Sequence, residues 1–308
     1  MVTAPLRSLQ WCIGLIGYGE VGRILAEDLR ARGALRMIAH DVKLGGAEER
    51  PLLEHAERHG VELVASHAAL AGRADFIISA VTASQTVLAA QACAAGVRRD
   101  AWFLDLNSAS PGAKRGAAAA IDGAGGVYVE AAVMAPVPPY RLRVPLLLGG
   151  ARAAELRSHL EALGFNASVA SNTLGVASAT KMCRSVIIKG LEAMVIEAFT
   201  AARAYGVEAD VLASLAETFP AIDWNEQATY FFQRVMVHGR RRTEEMREVA
   251  RTVDEIGLTP WSASGTADRM EWLSDLVDRG ELGDRADPTF ASSDWRTQAD
   301  RILRSLKR

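Results

Sequence analysis

The hydrophobic and polar positions of the chain follow one pattern in its first half and another in its second. In the first half, short apolar runs alternate with segments whose apolar residues recur every three or four positions, whereas the second half keeps only the latter spacing. The short runs predict buried strands at 11–16, 35–39, 61–65, 75–81, 102–106, 126–133 and 144–148. Alternating strands and helices are typical of a doubly wound α/β domain, and the second half predicts an all-α domain.

The change of pattern is clearest between Thr173 and Tyr205, a segment without proline that is rich in Ala, Val, Ile, Leu, Met and Glu. It predicts one long, buried helix. Further helices are predicted beyond it, with breaks between them at Pro220, Gly239, 257–260 and Gly280. We therefore predict two domains, residues 1–170 and residues 171–308.

The first apolar run leads directly into a GxGxxG turn, which is followed by a helical pattern. Gly17 suits the tight turn, Gly19 lets a pyrophosphate approach the backbone, and Gly22 lets the helix pack closely on the strand. The helix N-terminus then offers unpaired N–H groups and a positive dipole end to the phosphates. All six residues of the turn are predicted to contact a dinucleotide: Gly17, Tyr18, Gly19, Glu20, Val21 and Gly22. The α/β domain is therefore predicted to be of the Rossmann type.

An acidic residue stands where a dinucleotide-binding domain needs one. Asp41 follows the second predicted strand at about the 20-residue distance from the glycines at which a carboxylate hydrogen-bonds the adenosine ribose. Because a carboxylate there repels a 2′-phosphate, NAD is the expected cofactor. Lys43 can offset that repulsion, so NADP stays possible.

Two further strands end in polar residues. The carboxyl ends of strands line the ligand crevice of a doubly wound sheet, so Val81, Thr82, Ala83 and Asn107 are predicted to contact the cofactor. Ser108 is predicted to contact the substrate. Capping of the helix that follows residues 82–83 explains those two positions equally well.

Composition limits the classes of protein to consider. The chain has 308 residues, 49% of them hydrophobic, with 35 Lys and Arg against 37 Asp and Glu. The chain lacks the excess of basic residues that would indicate nucleic acid or an anionic membrane as a partner. The three cysteines show no paired spacing, and the N-terminus shows no signal-peptide pattern, so a cytoplasmic location is expected.

Cationic and hydroxyl side chains share one face of the long predicted helix. Lys181, Arg184, Ser185 and Lys189 lie at helical spacing in an otherwise apolar segment. Pairing with acids or exposure to water explains such a stripe. A site for an anionic substrate beside the nicotinamide explains it equally well, since burial and nearby charge can shift a lysine towards a pKa that suits proton transfer.

The motifs together resemble the β-hydroxyacid dehydrogenases, the family that contains 3-hydroxyisobutyrate and 6-phosphogluconate dehydrogenases. The resemblance rests on the glycine turn, the loop at 105–111 and the helix opening at 175–181, which match in order and spacing. It implies that Lys181 is the general acid/base on the substrate hydroxyl. Residues 181–193 and 238–246 resemble a subgroup whose helical C-terminal domain has no settled function. The apolar long helix also suggests a homodimer formed through that domain.

Two departures from the family pattern concern substrate binding. Met134-Ala135-Pro136 stands where the family usually has Ser-Gly-Gly, and Pro136 has no N–H to hold a carboxylate. Ser185 stands where the family has asparagine. Met134 and Ser185 are therefore expected to position the substrate differently from the standard members.

A basic cluster, His238 to Arg242, is predicted at the start of a helix, where it opposes the helix dipole. One interpretation pairs Arg240 with Glu244 and Arg241 with Glu245 on a solvated face. The other makes His238 and Arg240 ligands for a carboxylate or phosphate of the substrate.

Two other segments receive a structural interpretation. His55 and His59 share a helix face, but no third ligand is suggested nearby, so a solvated face is expected and no metal site is predicted. The proline run at 136–139 is explained equally well by a stiff connector of polyproline II character.

The function predicted from these observations is NAD(P)-dependent oxidation of the CH–OH group of a small anionic hydroxy acid. One alternative is an NADPH-dependent imine or keto reductase in biosynthesis, which the altered substrate loop permits. Another is a non-catalytic dinucleotide-binding sensor, which fold alone does not exclude.

Overall fold

The computed structural model describes residues 8–287, 289–290 and 293–307. The chain divides into two compact units, Met1–Met182 and Cys183–Arg308. The division falls inside a continuous helix, Val176–Tyr205, whereas the sequence prediction put the domain boundary between residues 170 and 171. A helix that runs from one unit into the next carries no local signal, such as a loop, at the point where the units divide.

From residue 8 onwards, the first unit contains eight strands and eight α-helices, the last of which continues into the second unit. The strands are β1 (Cys12–Ile16), β2 (Arg36–His40), β3 (Glu62–Leu63), β4 (Phe76–Ser79), β5 (Trp102–Asp105), β6 (Val127–Val133), β7 (Pro145–Gly149) and β8 (Asn166–Ser171). The helices are α1 (Glu20–Ala31), α2 (Arg50–His59), α3 (His67–Ala71), α4 (Thr86–Ala94), α5 (Pro111–Gly123), α6 (Val137–Tyr140), α7 (Ala153–Leu163) and α8 (Val176–Tyr205).

The strands form one sheet in the order β3-β2-β1-β4-β5-β6-β7-β8. All neighbours pair in parallel except β6 with β7, which are antiparallel. The chain order reverses between β1 and β4, so the loops that leave these two strands lie side by side. In doubly wound sheets this reversal point is where ligands bind.

Apolar side chains cover both faces of the sheet. One face packs Ile13, Leu15 and Phe76 against helices, and the other packs Ile16 and Phe103. All five side chains are buried. Full burial of a large apolar side chain stabilises a fold by about 1.5–3 kcal/mol. This explains why these strands form near-continuous apolar runs in the sequence.

Local chemistry fixes the start of α5. Ser110 precedes the helix, and its hydroxyl accepts a hydrogen bond from Ala113 N–H at 3.2 Å. Pro111 occupies the first helical position, where its missing N–H costs nothing. Ser110 is therefore the N-cap of α5, and the Ser-Pro sequence is typical of a helix start.

Two elements differ from the prediction. The sequence prediction ended the strands at 144–148 and missed β8, because small residues and an exposed edge give this strand no apolar run. The proline run is not a polyproline connector, since α6 forms over Val137–Tyr140. The N–H groups of a helix's first turn have no acceptor within the helix, so proline's missing N–H costs little there. Two prolines in the first turn are therefore compatible with a short helix.

The second unit is helical. It contains the greater part of α8, then α9 (Glu208–Thr218), α10 (Trp224–Asp254), α11 (Trp261–Asp278) and α12 (Trp295–Ser305). Pro220, 257–260 and Gly280 lie between helices as predicted, but Gly239 lies inside α10. A Cβ at Gly239 would stand 2.1 Å from Ser274 Oγ, so this glycine allows α10 and α11 to approach closely.

The predicted fold class, a Rossmann-type α/β domain followed by an all-α domain, is confirmed.

Within the described residues, none of the helices combines the length and the apolar character that a membrane span requires.

The three cysteines differ in exposure, which predicts their reactivity. Cys12 and Cys93 are buried, and burial raises the pKa of Cys12 and raises that of Cys93 to about 12, whereas Cys183 is exposed. Because the thiolate is the reactive form, we expect one thiol per chain to react rapidly with a disulfide reagent under native conditions. Replacement Cys183→Ser should abolish this reaction. Rapid reaction of a second thiol in the folded protein would contradict the prediction.

Candidate functional site

The glycine turn at the end of β1 has the geometry of an anion-binding loop. Gly17 has φ +86°, and a Cβ on it would lie 2.5 Å from Ala80 O. A Cβ at Gly22 would lie 2.1 Å from Gly17 O. At Gly19, in contrast, a Cβ would have nothing within 4 Å, and no side chain caps α1. The N-terminus of α1 can therefore hold a phosphate, as a dinucleotide requires.

Asp41 lies directly after β2 and is buried. Its carboxylate accepts hydrogen bonds from Tyr18 N–H at 2.7 Å and from Lys43 N–H at 3.0 Å. The first of these bonds ties the end of β2 to the glycine turn. Lys43 forms an exposed ion pair with Glu48 through its ammonium group. Asp41 therefore stands at the position that the sequence predicts for a ribose ligand, held in place by the turn.

Tyr18, the second residue of the turn, points into the protein. Its side chain is fully buried, and its hydroxyl shares a hydrogen bond of 2.9 Å with His55 Nδ1. Burial raises the pKa of Tyr18 to about 12. The sequence predicts that Tyr18 contacts the cofactor, but in the structure its hydroxyl bonds His55 and its backbone N–H bonds Asp41.

A row of buried polar residues crosses the sheet, from the carboxyl ends of β4 and β5 to the middle of β6. Ser79, Asp105 and Glu130 are aligned by strand register, and all three side chains are fully buried. Asp105 forms an ion pair with Lys114 at 2.9 Å and accepts a hydrogen bond from Tyr128 Oη at 2.5 Å. Buried polar groups need such partners. The row therefore fixes the loops that leave these strands.

Asn107 is held within this arrangement. Its side-chain amide donates to Ser79 Oγ at 3.0 Å, and its carbonyl accepts from Val81 N–H at 2.7 Å. Asn107 therefore joins the loops after β4 and β5 and is itself buried. Val81 is half-buried, Thr82 is exposed, and Ala83 is buried at the start of a short 3-10 helix. The predicted cofactor residues of these loops thus lie together at the carboxyl edge of β4 and β5.

Glu130 was not predicted as a site residue, yet it positions the helix that carries Lys181. Its carboxylate accepts hydrogen bonds from the N–H groups of Gly175, Ala177 and Ser178 at 2.7, 3.1 and 3.3 Å. It therefore caps the N-terminus of α8, where negative charge is favourable. A lone glutamate within the apolar strand Val127–Val133 is the sequence signal that could have revealed it, because a buried carboxylate needs hydrogen-bond donors.

We expect Glu130→Gln to lower the free energy of unfolding by about 1–3 kcal/mol. The NH₂ group that replaces one carboxylate oxygen cannot accept a hydrogen bond, so a buried N–H of α8 loses its acceptor. Urea denaturation measures this loss. Glu155→Gln is the matched control, because Glu155 pairs with Arg152 on the exposed start of α7 and should change stability by less than about 1 kcal/mol. Equal stability of the two variants would contradict the capping role of Glu130.

The structure brings Lys181 and Ser108 together. Lys181 Nζ donates a hydrogen bond of 2.5 Å to Ser108 Oγ, and both side chains are half-buried. Ser108 follows Asn107 in the loop after β5, and Lys181 lies in the second turn of α8. Met134, another predicted substrate residue, is half-buried after β6, and its N–H donates to Pro145 O at 2.9 Å. An amine and a hydroxyl in contact at the carboxyl edge of the sheet form a group that can bind and deprotonate an alcohol.

In the second unit, the other predicted residues of α8 have different surroundings. Arg184 is exposed, and Ser185 is buried. Lys189 is buried and forms an ion pair of 2.5 Å with Glu245. Burial lowers the pKa of Lys189, and Glu245 opposes part of this effect. The ammonium group of Lys189 is thus already paired with an acid. This agrees, for Lys189, with the interpretation that the cationic residues of this helix pair with acids.

The basic cluster corrects two expectations. Residues 238–242 lie in the middle of α10, not at a helix start, because Gly239 does not break the helix. Arg240 pairs with Asp275 at 2.5 Å and Asp278 at 2.7 Å, both in α11, instead of with Glu244. Partners on a neighbouring helix are not visible in an i, i+4 pattern. Arg241 Nε lies 3.9 Å from Glu245, as the predicted pair requires, and half-buried His238 lies on the same helix.

The expected solvated face at His55 and His59 is also wrong in part. His55 is buried, and its Nε2 lies 3.0 Å from Glu27 Oε1. Its ring stacks on that of His59, with centroids 4.4 Å apart. The packing of α1 on α2 supplies the partners, which the sequence of α2 alone does not reveal.

Two family models match the chain. The model of coenzyme F420-dependent NADP oxidoreductases matches residues 12–105, and the domain of unknown function DUF1932 matches residues 202–273. The first match covers β1 to β5 and includes the glycine turn. The predicted NAD(P) cofactor is therefore confirmed, and the second match agrees with the predicted subgroup.

Relatives with solved structures cover nearly the whole chain. A conserved hypothetical protein from Sinorhizobium meliloti is 36% identical, with 95% of each chain covered and a TM-score of 0.75. A conserved protein of unknown function, reported to be structurally similar to 3-hydroxyacid dehydrogenases, is 31% identical, with 87% of this chain and 98% of that chain covered and a TM-score of 0.67. The chain belongs to the β-hydroxyacid dehydrogenase family. The predicted family resemblance is thereby confirmed.

A relative that is named as an enzyme is more distant. The β-hydroxyacid dehydrogenase family includes the mitochondrial 3-hydroxyisobutyrate dehydrogenase of Drosophila melanogaster, which is 24% identical over 217 residues. The match covers 69% of this chain and 64% of that enzyme. Membership of this family indicates an NAD(P)-dependent oxidoreductase of hydroxy acids.

Proposed function

We propose that the protein oxidises the CH–OH group of a small anionic β-hydroxy acid with NAD(P) and that Lys181 is the general acid/base. The observation that carries the proposal is the 2.5 Å contact between Lys181 Nζ and Ser108 Oγ. This pair lies in the same unit as a glycine turn suited to a pyrophosphate. The family membership supports the reaction class.

The chain's own residues would divide the work of the reaction. The backbone of the glycine turn binds the pyrophosphate, and Asp41 accepts hydrogen bonds from the ribose. When bound, the nicotinamide supplies the hydride acceptor. Ser108 holds the substrate hydroxyl, and the neutral amine of Lys181 takes its proton as the C–H hydrogen leaves as hydride. In the reverse direction, the Lys181 ammonium returns this proton to the carbonyl oxygen.

NAD is the proposed preferred form of the cofactor. The Asp41 carboxylate would repel a 2′-phosphate, and the charge of nearby Lys43 is partly offset by its pair with Glu48. The exposed pair weakens this lysine's attraction for a phosphate without removing it. Replacement Asp41→Ala should therefore reduce the preference for NADH over NADPH.

The proposal is tested by titrating the purified protein with NADH and NADPH and following cofactor fluorescence. A panel of small β-hydroxy acids is then supplied with NAD⁺ or NADP⁺ at alkaline pH, and reduced cofactor is measured. We expect tighter binding of NADH and turnover with at least one member of the panel. Because the substrate loop lacks Ser-Gly-Gly, the panel includes acids that differ in length and in the position of the carboxylate.

Other outcomes separate the competing functions. Tight cofactor binding without oxidation of any hydroxy acid, but with reduction of keto or imino compounds by NADPH, would favour a biosynthetic reductase. Binding without turnover in either direction would favour a sensor. Absence of dinucleotide binding would overturn the proposal at its first step.

A further inference from the structure

A group of metal-ligating side chains lies behind the glycine turn, away from the Lys181–Ser108 pair. It consists of Glu27 in α1 and of His55 and His59 in α2. One ligand atom from each of the three lies within 4.8 Å of the other two. The two histidines are spaced i, i+4, which places both rings on one side of the helix. Ligand atoms on a tetrahedral zinc ion are about 3.4 Å apart. The rings of His55 and His59 are stacked at 27°, so the half-buried His59 ring must turn out of the stack for both nitrogens to face one ion.

The surrounding residues orient these ligands. Tyr18 Oη lies 2.9 Å from His55 Nδ1, which leaves Nε2 directed at Glu27. The second oxygen of Glu27 accepts a hydrogen bond of 2.6 Å from Arg141, which leaves Oε1 for a ligand. Metal sites in proteins use such partners on the far side of each ligand to hold it in position. Tyr18 and Arg141 therefore occupy the positions that outer-shell partners take around a metal site.

The C-terminal end of α2 also favours a cation at this group. His59 is the last residue of α2, where the helix carbonyl groups concentrate partial negative charge. Half-buried Glu27 and His59 leave the group accessible, whereas His55 is buried. Arg23 and Arg141 are the nearby cations, and Arg141 is neutralised by its second pair, with Asp28 at 2.7 Å.

We propose that Glu27, His55 and His59 bind a divalent transition metal ion, with Zn²⁺ as its representative. Two imidazoles and one carboxylate are the ligands of zinc and of its first-row neighbours, whereas Mg²⁺ and Ca²⁺ prefer oxygen ligands alone. The metal takes the place of the hydrogen between His55 Nε2 and Glu27 Oε1. The imidazole proton then resides on Nδ1 and is donated to Tyr18 Oη. A water molecule completes the coordination.

The position of the site connects it to the glycine turn. Tyr18 hydrogen-bonds His55 through its hydroxyl and Asp41 through its backbone N–H. A metal ion that holds His55 in position therefore also holds Tyr18, which is the residue between Gly17 and Gly19.

The experiment is a titration of the full-length, chelator-treated protein with Zn²⁺, followed by calorimetry, and with Co²⁺, followed by visible absorption. The Cys183→Ser background removes the exposed thiol as a competing ligand. We expect one equivalent of metal per chain and a Co²⁺ spectrum without thiolate charge-transfer bands. Neither measurement needs a substrate or a dinucleotide, so failure of the proposed enzymatic function does not affect the result.

Three variants make the assignment specific. His59→Ala should abolish stoichiometric binding, and Tyr18→Phe should weaken it by about 10–100-fold, because an outer-shell partner is lost. His67→Ala is the matched control, since this half-buried histidine belongs to the same unit and is not part of the group. Thermal unfolding in chelator shows whether each variant is folded, and Glu27→Gln replaces His59→Ala if that variant is not. Stoichiometric binding that survives in the folded ligand variant, or that is absent from the parent protein, overturns the proposal.

Discussion

Replacement Lys181→Met is expected to lower kcat by about 10²–10⁴-fold, which is the usual contribution of a positioned general acid/base. The amine is the only group of this side chain that can accept the substrate proton, and its contact with Ser108 at 2.5 Å places it beside a hydroxyl. Steady-state kinetics with the most active hydroxy acid of the panel measures the loss. The dissociation constant for NADH should stay unchanged, because the glycine turn and Asp41 bind the cofactor.

Lys181→Arg is the control that separates charge from proton transfer. Arginine keeps the positive charge but does not lose a proton at accessible pH. If Lys181 serves only to attract the substrate anion, the arginine variant retains turnover with a raised KM. If Lys181 transfers the proton, the arginine variant loses kcat to a similar extent as the methionine variant. Near full turnover of Lys181→Met would refute the proposed mechanism.

Gly19→Ala should weaken dinucleotide binding by about tenfold to a hundredfold, or roughly 1.4–2.8 kcal/mol, while leaving the fold intact. No atom lies within 4 Å of the position that a Cβ at Gly19 would take, and its φ of −74° is open to alanine. The added methyl group would instead occupy the space in which the pyrophosphate approaches the backbone. Fluorescence titration with NADH measures the affinity, and thermal unfolding measures the fold.

Two other glycines provide the controls for this prediction. Gly123 at the end of α5 also has nothing within 4 Å of a Cβ, so Gly123→Ala should leave affinity unchanged and should not lower stability. Gly22→Ala places a methyl group 2.1 Å from Gly17 O and should lower stability as well as affinity. If Gly19→Ala bound NADH as tightly as the parent protein, the turn would not be the pyrophosphate site.

The parts of the fold that sequence reasoning predicts well depend on local chemistry. The strands β1, β4 and β5 are apolar runs because both of their faces are covered, and the long helix α8 is visible in a segment without proline. The glycine turn is predictable for the same reason, since the positive φ of Gly17 and the close approach of Gly22 to Gly17 O arise within six residues. The edge strand β8 lacks such a signal, because its backbone pairing with β7 defines it.

The candidate site was predictable at the strand ends and less so elsewhere. The general rule that ligands bind at the carboxyl ends of strands led to Asn107 and Ser108, and the family pattern led to Lys181. Whether these residues contact the cofactor and substrate stays a prediction. The partners of Lys189 and Arg240 could not be read from the chain, because they lie on other helices.

Residue patterns, turn chemistry and the family resemblance are enough to assign the class of the protein: a Rossmann-type unit with a glycine turn, followed by helices, in the β-hydroxyacid dehydrogenase family. The tertiary structure is needed to see which buried charges are paired and with what. It placed Glu130 under the first turn of α8, and it placed Glu27 beside His55. The physical reason is that periodicity and turn chemistry act over a few residues, whereas the partner of a buried polar group is selected by the topology that brings distant strands and helices together.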